Sequence, residues 1–220
     1  VIEARAQRLG APVLAYGQHW HVWEERGRLI FQDETGLLDL PLPNLPGPHQ
    51  IMNAGAALMA LRHLGADEAA CEAAVTRAFW PARMQRIDHG PLSELAGHAE
   101  LWLDGGRNPA AGEALARTLS AMAEKPTHLI CGMLRTKDIR GYLRPLAAVS
   151  QSLTALSIPG EAATLEADET ARFAEEVGMN AGTASGLREA IAGITARSPG
   201  SRILICGSLY LAGHVLRETG

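Results

Sequence analysis

The stretch "LWLDGGRNPAAGEALARTL", residues 101–119, ends an apolar run in a carboxylate, then sets two glycines, a guanidinium and Asn108-Pro109 before an alanine-rich segment. An aspartate that closes a buried strand is placed to hold a ribose hydroxyl or a substrate amine. Gly105 and Gly106 permit a tight turn and close approach of the backbone. Asn108 is a good helix N-cap and Pro109 fits the first helical turn. The free N–H groups of such a helix start, with its dipole, favour an anion. A purely structural glycine turn with a cap accounts for the stretch equally well, and Asp104 is what favours a ligand. Two more strand ends carry glycine. "ICGML" places Cys131-Gly132-Met133, with Lys137-Asp138 soon after, and "ICGSLY" places Gly207-Ser208 directly before a helix. On one sheet edge these ends would line a single crevice. None of them matches GxGxxG, and the chain contains no GxxxxGK[ST].

The elements that must position these residues fall into two regimes. From Pro12 to Pro43, short alternating and β-branched pieces separated by Gly and charged residues predict strands and hairpins. Pro46-Gly47-Pro48 then breaks the chain before a helix over about 49–63. Gly65 ends it, and Asp67 caps a second helix reaching about Phe79. "WPARMQRIDHGPL" reads as an irregular connection. From about Glu100 the apolar runs "ELWLD", "THLICGM", "SLTALSIP" and "RILICGSL" alternate with helical patterns near 110–123, 138–149, 168–177, 186–196 and 209–217. "NAGTAS" (180–185) is a candidate further short strand. Such alternation predicts an α/β fold, a mostly parallel sheet with helices on both faces, and runs such as "ILIC" suit a sheet covered on both sides. In such a sheet, ligands bind beyond the carboxyl ends of the strands.

Composition narrows the function. The chain of 220 residues is 47% hydrophobic with a formal net charge of -4, an ordinary globular balance that argues against a nucleic-acid partner. No stretch has the length and apolarity of a membrane span, so no membrane partner is expected, and the charged first residues do not read as a secretory signal. Cys71, Cys131 and Cys206 are far apart in apolar contexts, which predicts reduced, buried thiols and a cytoplasmic protein. His19 and His21 alternate on a probable strand, but no third ligand is spaced to complete a metal site. Trp20, Trp23, Trp80 and Trp102 are expected as packing anchors. The acidic segment 159–170 reads as a solvated loop leading into a capped helix.

"LPGPHQIMNAGAALMAL", "WPARMQ", "LDGGRNP", "CGMLRTKD" and "ICGSLY" occur in the order and spacing of folylpolyglutamate synthases and dihydrofolate synthases, members of the Mur ligase superfamily. The resemblance runs from about Pro12 onward. It implies that residues 1–79 correspond to the end of the central ATP-binding domain, as a strand-and-helix remnant, and residues 80–220 to a Rossmann-like C-terminal glutamate ligase domain. It also implies a P-loop and magnesium ligands upstream of Val1, and hence a chain that is inactive alone. The reaction it implies is the ATP-dependent joining of L-glutamate to dihydropteroate or a reduced folate through an acyl phosphate, with ATP and Mg2+ as cofactors, in an enzyme expected to be monomeric.

Residue by residue, the resemblance gives Gln50 and Asn53 the adenine contact, which carboxamides suit because they offer donor and acceptor. It gives Arg83 the ATP phosphates and Asp104 the ribose. Arg107, Asn108 and Ser208 fall near the incoming glutamate. No catalytic residue and no metal ligand is assigned in this chain. Without the resemblance, Gln50 and Asn53 read as a polar helix start, Arg83 as a surface cation, and Ser208 as a cap of the last helix. Arg107 departs from the family, which has histidine here. An arginine can pair a carboxylate through two bonds but cannot exchange a proton near neutral pH. Ala82 stands where glycine is usual. Two alternatives remain: another Mur-type amino-acid ligase, or a non-catalytic nucleotide-binding or interaction module.

Overall fold

The structure is a computed structural model that describes residues 1–219. The chain divides into two compact units, Val1–Phe79 and a second from Trp80 onward.

In the first unit, α1 (Ile2–Leu9) precedes a meander of β1 (Trp20–Glu25), β2 (Arg28–Asp33) and β3 (Gly36–Pro41), antiparallel throughout. Arg26 and Gly27, both at positive φ (53° and 74°), make the two-residue turn between the first two strands, the handedness that matches strand twist. Helix α2 (His49–His63) follows the Pro-Gly-Pro break, and α3 (Glu68–Thr76) starts at Asp67, whose carboxylate accepts from the Ala70 N–H at 2.8 Å. This last helix stops short of Phe79, with Arg77 closing it. The inward faces of the strands (Trp20, Val22, Leu29, Phe31, Leu38, Leu40) pack on Ala54, Leu58, Cys71 and Val75 of the two helices. Alternation in the strands and a 3.6-residue spacing in the helices put these apolar groups on facing sides.

The second unit runs β4 (Gln85–Ile87), α4 (Pro91–Ala96), β5 (Glu100–Leu103), α5 (Pro109–Ala121), β6 (Thr127–Cys131), α6 (Ile139–Ala147), β7 (Ser152–Ala155), α7 (Ala167–Glu176), β8 (Ala181–Thr183), α8 (Leu187–Arg197), β9 (Arg202–Cys206) and α9 (Leu209–Thr219). Its six strands lie in the order β4-β5-β9-β6-β7-β8, parallel except for β4, which is antiparallel to β5. This is the mostly parallel, doubly covered sheet that the alternating pattern predicts. One layer packs α4, α8 and α9 on the sheet through Leu92, Ile191, Ile194, Leu211 and Val215. The other packs α5, α6 and α7 through Leu115, Tyr142, Leu143, Leu146 and Ala174. Strand β9 sits between them, all five residues buried.

Two sequence expectations need correction. The stretch after Trp80 is not irregular: it holds β4 and opens α4. Three residues carry no readable period, and β4 exists because Gln85–Ile87 find partners along Leu101–Leu103. The acidic segment 159–170 is not simply a solvated loop leading into a capped helix: Leu165 is buried, and α7 begins at Ala167 with no side-chain cap from Glu166. Thr164 forms an antiparallel bridge with Leu134.

Candidate functional site

The carboxyl ends of β5, β6 and β9 are adjacent in the sheet, so their glycine turns share one edge. Backbone bonds tie them together. The Asp104 N–H donates to the Ile205 carbonyl at 2.9 Å, and that of Gly132 to the Cys206 carbonyl at 3.3 Å. Gly207 has φ 103°, and a Cβ there would stand 2.8 Å from the Gly132 carbonyl oxygen and 2.9 Å from the Cys131 sulfur. Only glycine lets these two turns approach so closely.

Asp104 is 4% exposed. Its two carboxylate oxygens are both engaged: Oδ2 accepts from the Met84 N–H at 2.9 Å and Oδ1 from the Gly106 N–H at 2.7 Å. Burial pushes its carboxyl above the usual range, against the pull of those two amides and of the Arg83 charge. The side chain therefore fastens the Ala82–Met84 segment to the β5–α5 turn, and Gly105 adds a bond to the Ala82 carbonyl at 2.8 Å. Ala82 and Met84 hold positive φ (54° and 41°) in that segment, which explains why a glycine suits the position of Ala82. Arg83, between them, is exposed.

Asn108 caps α5, its Oδ1 accepting from the Ala111 N–H at 2.9 Å, with Pro109 first in the helix. Arg107 projects from the turn just before it and is exposed. Ser208 is 1% exposed, and its hydroxyl accepts from the Tyr210 N–H at 3.1 Å, so it caps α9.

Arg107, Leu134, Lys137, Leu209 and Tyr210 line one cavity of about 420 Å³. Its lining holds two cations and no acid. Arg107 and Lys137 follow two of the glycine turns expected to share a crevice, and Leu209 and Tyr210 follow the third; they meet around one cavity because β5, β6 and β9 are neighbours. Leu209 and Tyr210 are half exposed (50% and 58%), an apolar shoulder beside the charged groups. A carboxylate-bearing molecule with a short aliphatic body matches this chemistry. A roomier cleft of about 630 Å³ opens by His128, Ser152, Asn180 and Arg197, and none of the three glycine turns lines it.

In the first unit, Gln50 and Asn53 sit one turn apart at the start of α2. Asn53 donates to the Gln50 carboxamide oxygen at 2.9 Å. Gln50 is 4% exposed, whereas Asn53 is exposed, so of the two carboxamides only that of Asn53 faces solvent, with Gln50 bonded beneath it. Among the described residues, no group of three or more His, Cys, Asp or Glu side chains could hold a metal ion. Among the same residues, no helix is long and apolar enough to cross a membrane.

The family model of the dihydrofolate synthetase C-terminal domain matches residues 85–218. Comparison with curated proteins gives no match. Among solved structures, the chain is similar to Escherichia coli FolC in complex with DHPP and ADP, at 27% identity and a TM-score of 0.84 over 98% of this chain and 49% of that one. It is similar to a Mycobacterium tuberculosis folylpolyglutamate synthase complexed with ADP and AMPPCP, at 26% identity and a TM-score of 0.82 over 100% and 52% of the two chains. A bifunctional folylpolyglutamate synthase/dihydrofolate synthase with Mn, AMPPNP and L-glutamate bound is 23% identical, with a TM-score of 0.79 over 98% and 50%; at that identity the likeness is one of fold. The chain spans about half the length of the solved relatives it matches.

Proposed function

Because the chain belongs to the family of dihydrofolate synthetase C-terminal domains, we propose that it is the C-terminal portion of an ATP-dependent ligase that joins L-glutamate to dihydropteroate or a reduced folate. The observation that carries this reading is the cavity that Arg107 and Lys137 line at the glycine-turn edge. In this reading Arg107 takes a carboxylate of the incoming glutamate through its planar fork, and Asn108 and Ser208 hold the turns on either side. The amine of glutamate then attacks an acyl phosphate made from ATP and the acceptor carboxylate, and phosphate leaves. Residues of this chain contribute position and charge to that step. Arg83 meets phosphate oxygens, Asn53 meets the base with Gln50 behind it, and Asp104, buried with both oxygens on backbone amides, holds the turn that faces the nucleotide. The enzyme would work in the cytoplasm, where its three free, buried cysteines stay reduced.

The test is steady-state kinetics on the full-length enzyme, with dihydropteroate and tetrahydrofolate as alternative acceptors. A charged hydrogen bond is worth about 1.5–3 kcal/mol, so Arg107→Ala should raise the glutamate KM by roughly ten- to a hundredfold with a smaller change for ATP. Asp104→Ala, which unties the Met84 and Gly106 amides, should weaken ATP and glutamate alike. Unchanged glutamate saturation in Arg107→Ala would remove Arg107 from the site.

A further inference from the structure

The segment 156–166, between β7 and α7, is stitched to the backbone that follows β6. The Leu165 N–H donates to the Met133 carbonyl at 2.8 Å and the Arg135 N–H to the Ala163 carbonyl at 3.0 Å, on either side of the Thr164–Leu134 bridge. Outside this short ladder, the Arg135 guanidinium reaches Glu169 at 2.9 Å and Glu166 at 3.8 Å. These are half-exposed pairs of small individual weight. Inside it, the Thr164 hydroxyl accepts from the Ile158 N–H at 2.8 Å and donates to the Leu165 carbonyl at 3.0 Å. Ile158 is 3% exposed, so without that hydroxyl its amide loses its partner in a dry place.

The far side of the same ladder is the cavity wall. Leu134 and Lys137 line the cavity with Arg107, and the Lys137 N–H donates to the Leu134 carbonyl at 3.1 Å. The turn carrying the Lys137 ammonium is therefore rooted in the residue that Thr164 bridges. We propose that Thr164 is a positioning residue for the carboxylate-binding cavity. Its hydroxyl shapes the 156–166 segment, the ladder fixes Leu134, and the turn from Leu134 to Lys137 sets where that cation stands. The proposal rests on the reading of this cavity as the amino-acid site.

Thr164→Val keeps the shape and removes both hydroxyl bonds; Thr164→Ser restores them. In the full-length enzyme, T164V should raise the glutamate KM about five- to tenfold, with kcat at saturating glutamate and the ATP KM each within about twofold. T164S should behave as the parent. Amide exchange at Arg135 and Leu165 should quicken by about the same factor in T164V alone. Arg135→Gln, which unfastens only the outer clasp, should raise the glutamate KM about two- to threefold and serves if T164V does not fold. Faster exchange with an unchanged glutamate KM, or a glutamate KM that moves only in step with that for ATP, overturns the proposal. If the parent enzyme does not use glutamate at all, the functional reading fails instead. Exchange at Arg135 and Leu165 would still report whether the hydroxyl holds the wall, and unchanged exchange in T164V would overturn that.

Discussion

At position 107 the choice between histidine and arginine decides how the site responds to pH. An arginine stays charged at every working pH, whereas an ordinary histidine loses its proton near pH 6.5. If Arg107 holds a carboxylate, the glutamate KM of the parent should be flat between pH 6 and 8. Arg107→His should bind glutamate about as well at pH 6, and its KM should rise about five- to tenfold by pH 8 as the imidazole deprotonates. Glutamate saturation curves across that range check it, and two parallel profiles would show that the side chain at 107 does not meet the carboxylate. The neighbouring residues show what sequence order conveys at this scale. Asn108 and Pro109 announce a helix start by type alone, and both take that place. Asp104 announces chemistry by the same local logic, yet its two oxygens are held by backbone amides. The Met84 amide that claims one of them comes from a segment far back in the chain, where no local pattern could foretell it.

At the level of strands, the amino-terminal edge of the sheet is organised by a single carboxylate. Glu100 opens β5 and lies 2.7 Å from Lys125, 3.3 Å from Arg202 and 3.6 Å from Arg86, and its Oε2 accepts from the Trp102 indole at 3.2 Å. Burial would push its carboxyl up. The Lys125 and Trp102 hydrogen bonds, with the Lys125 and Arg86 charges, outweigh burial and hold it at about 2. A carboxyl depressed from 4.5 to about 2 on folding contributes stability that is whole above pH 4.5 and is lost as pH falls toward 2. Glu100→Gln should flatten that acid limb. At neutral pH it should cost about 1–3 kcal/mol, because Arg202, its side chain 3% exposed, keeps only uncharged acceptors such as the Ala123 carbonyl at 3.0 Å. Urea midpoints measured from pH 7 to pH 3 check both limbs. An acid limb of the same steepness in parent and variant would assign the loss to other carboxylates.

Across the whole second unit, the two helix layers meet on one strand. Ile203 and Ile205 of β9 belong to the layer under α4, α8 and α9, and Leu204 and Cys206 to the one under α5, α6 and α7. Leu204 is fully buried in a strand flanked on both edges, where the surroundings have little room to collapse. Leu204→Ala should therefore cost about 2–5 kcal/mol, read as a lower urea midpoint. A cost under about 1 kcal/mol would mean that the site repacks. The same central placement of β9 brings together what the sequence separates. Cys131 and Cys206 become register partners, and the Cys131 thiol is pushed well above its usual range by its hydrogen bond with Cys206 and by burial. Arg202 reaches Glu100, and Lys137, Leu209 and Tyr210 join Arg107 around one cavity. By itself, the sequence determined the alternation of strand and helix, the caps at Asp67 and Asn108, the glycine turns, and the motifs that carry the family likeness. Each of these rests on residue type and short spacing, through periodicity, capping bonds and backbone freedom. The order of the strands, the existence of β4, the stitching of the 156–166 segment to Leu134 and the company that Arg107 keeps were decided by the tertiary structure. Strand order follows from which faces two helix layers can bury at once, and that energy depends on residues far apart in the chain.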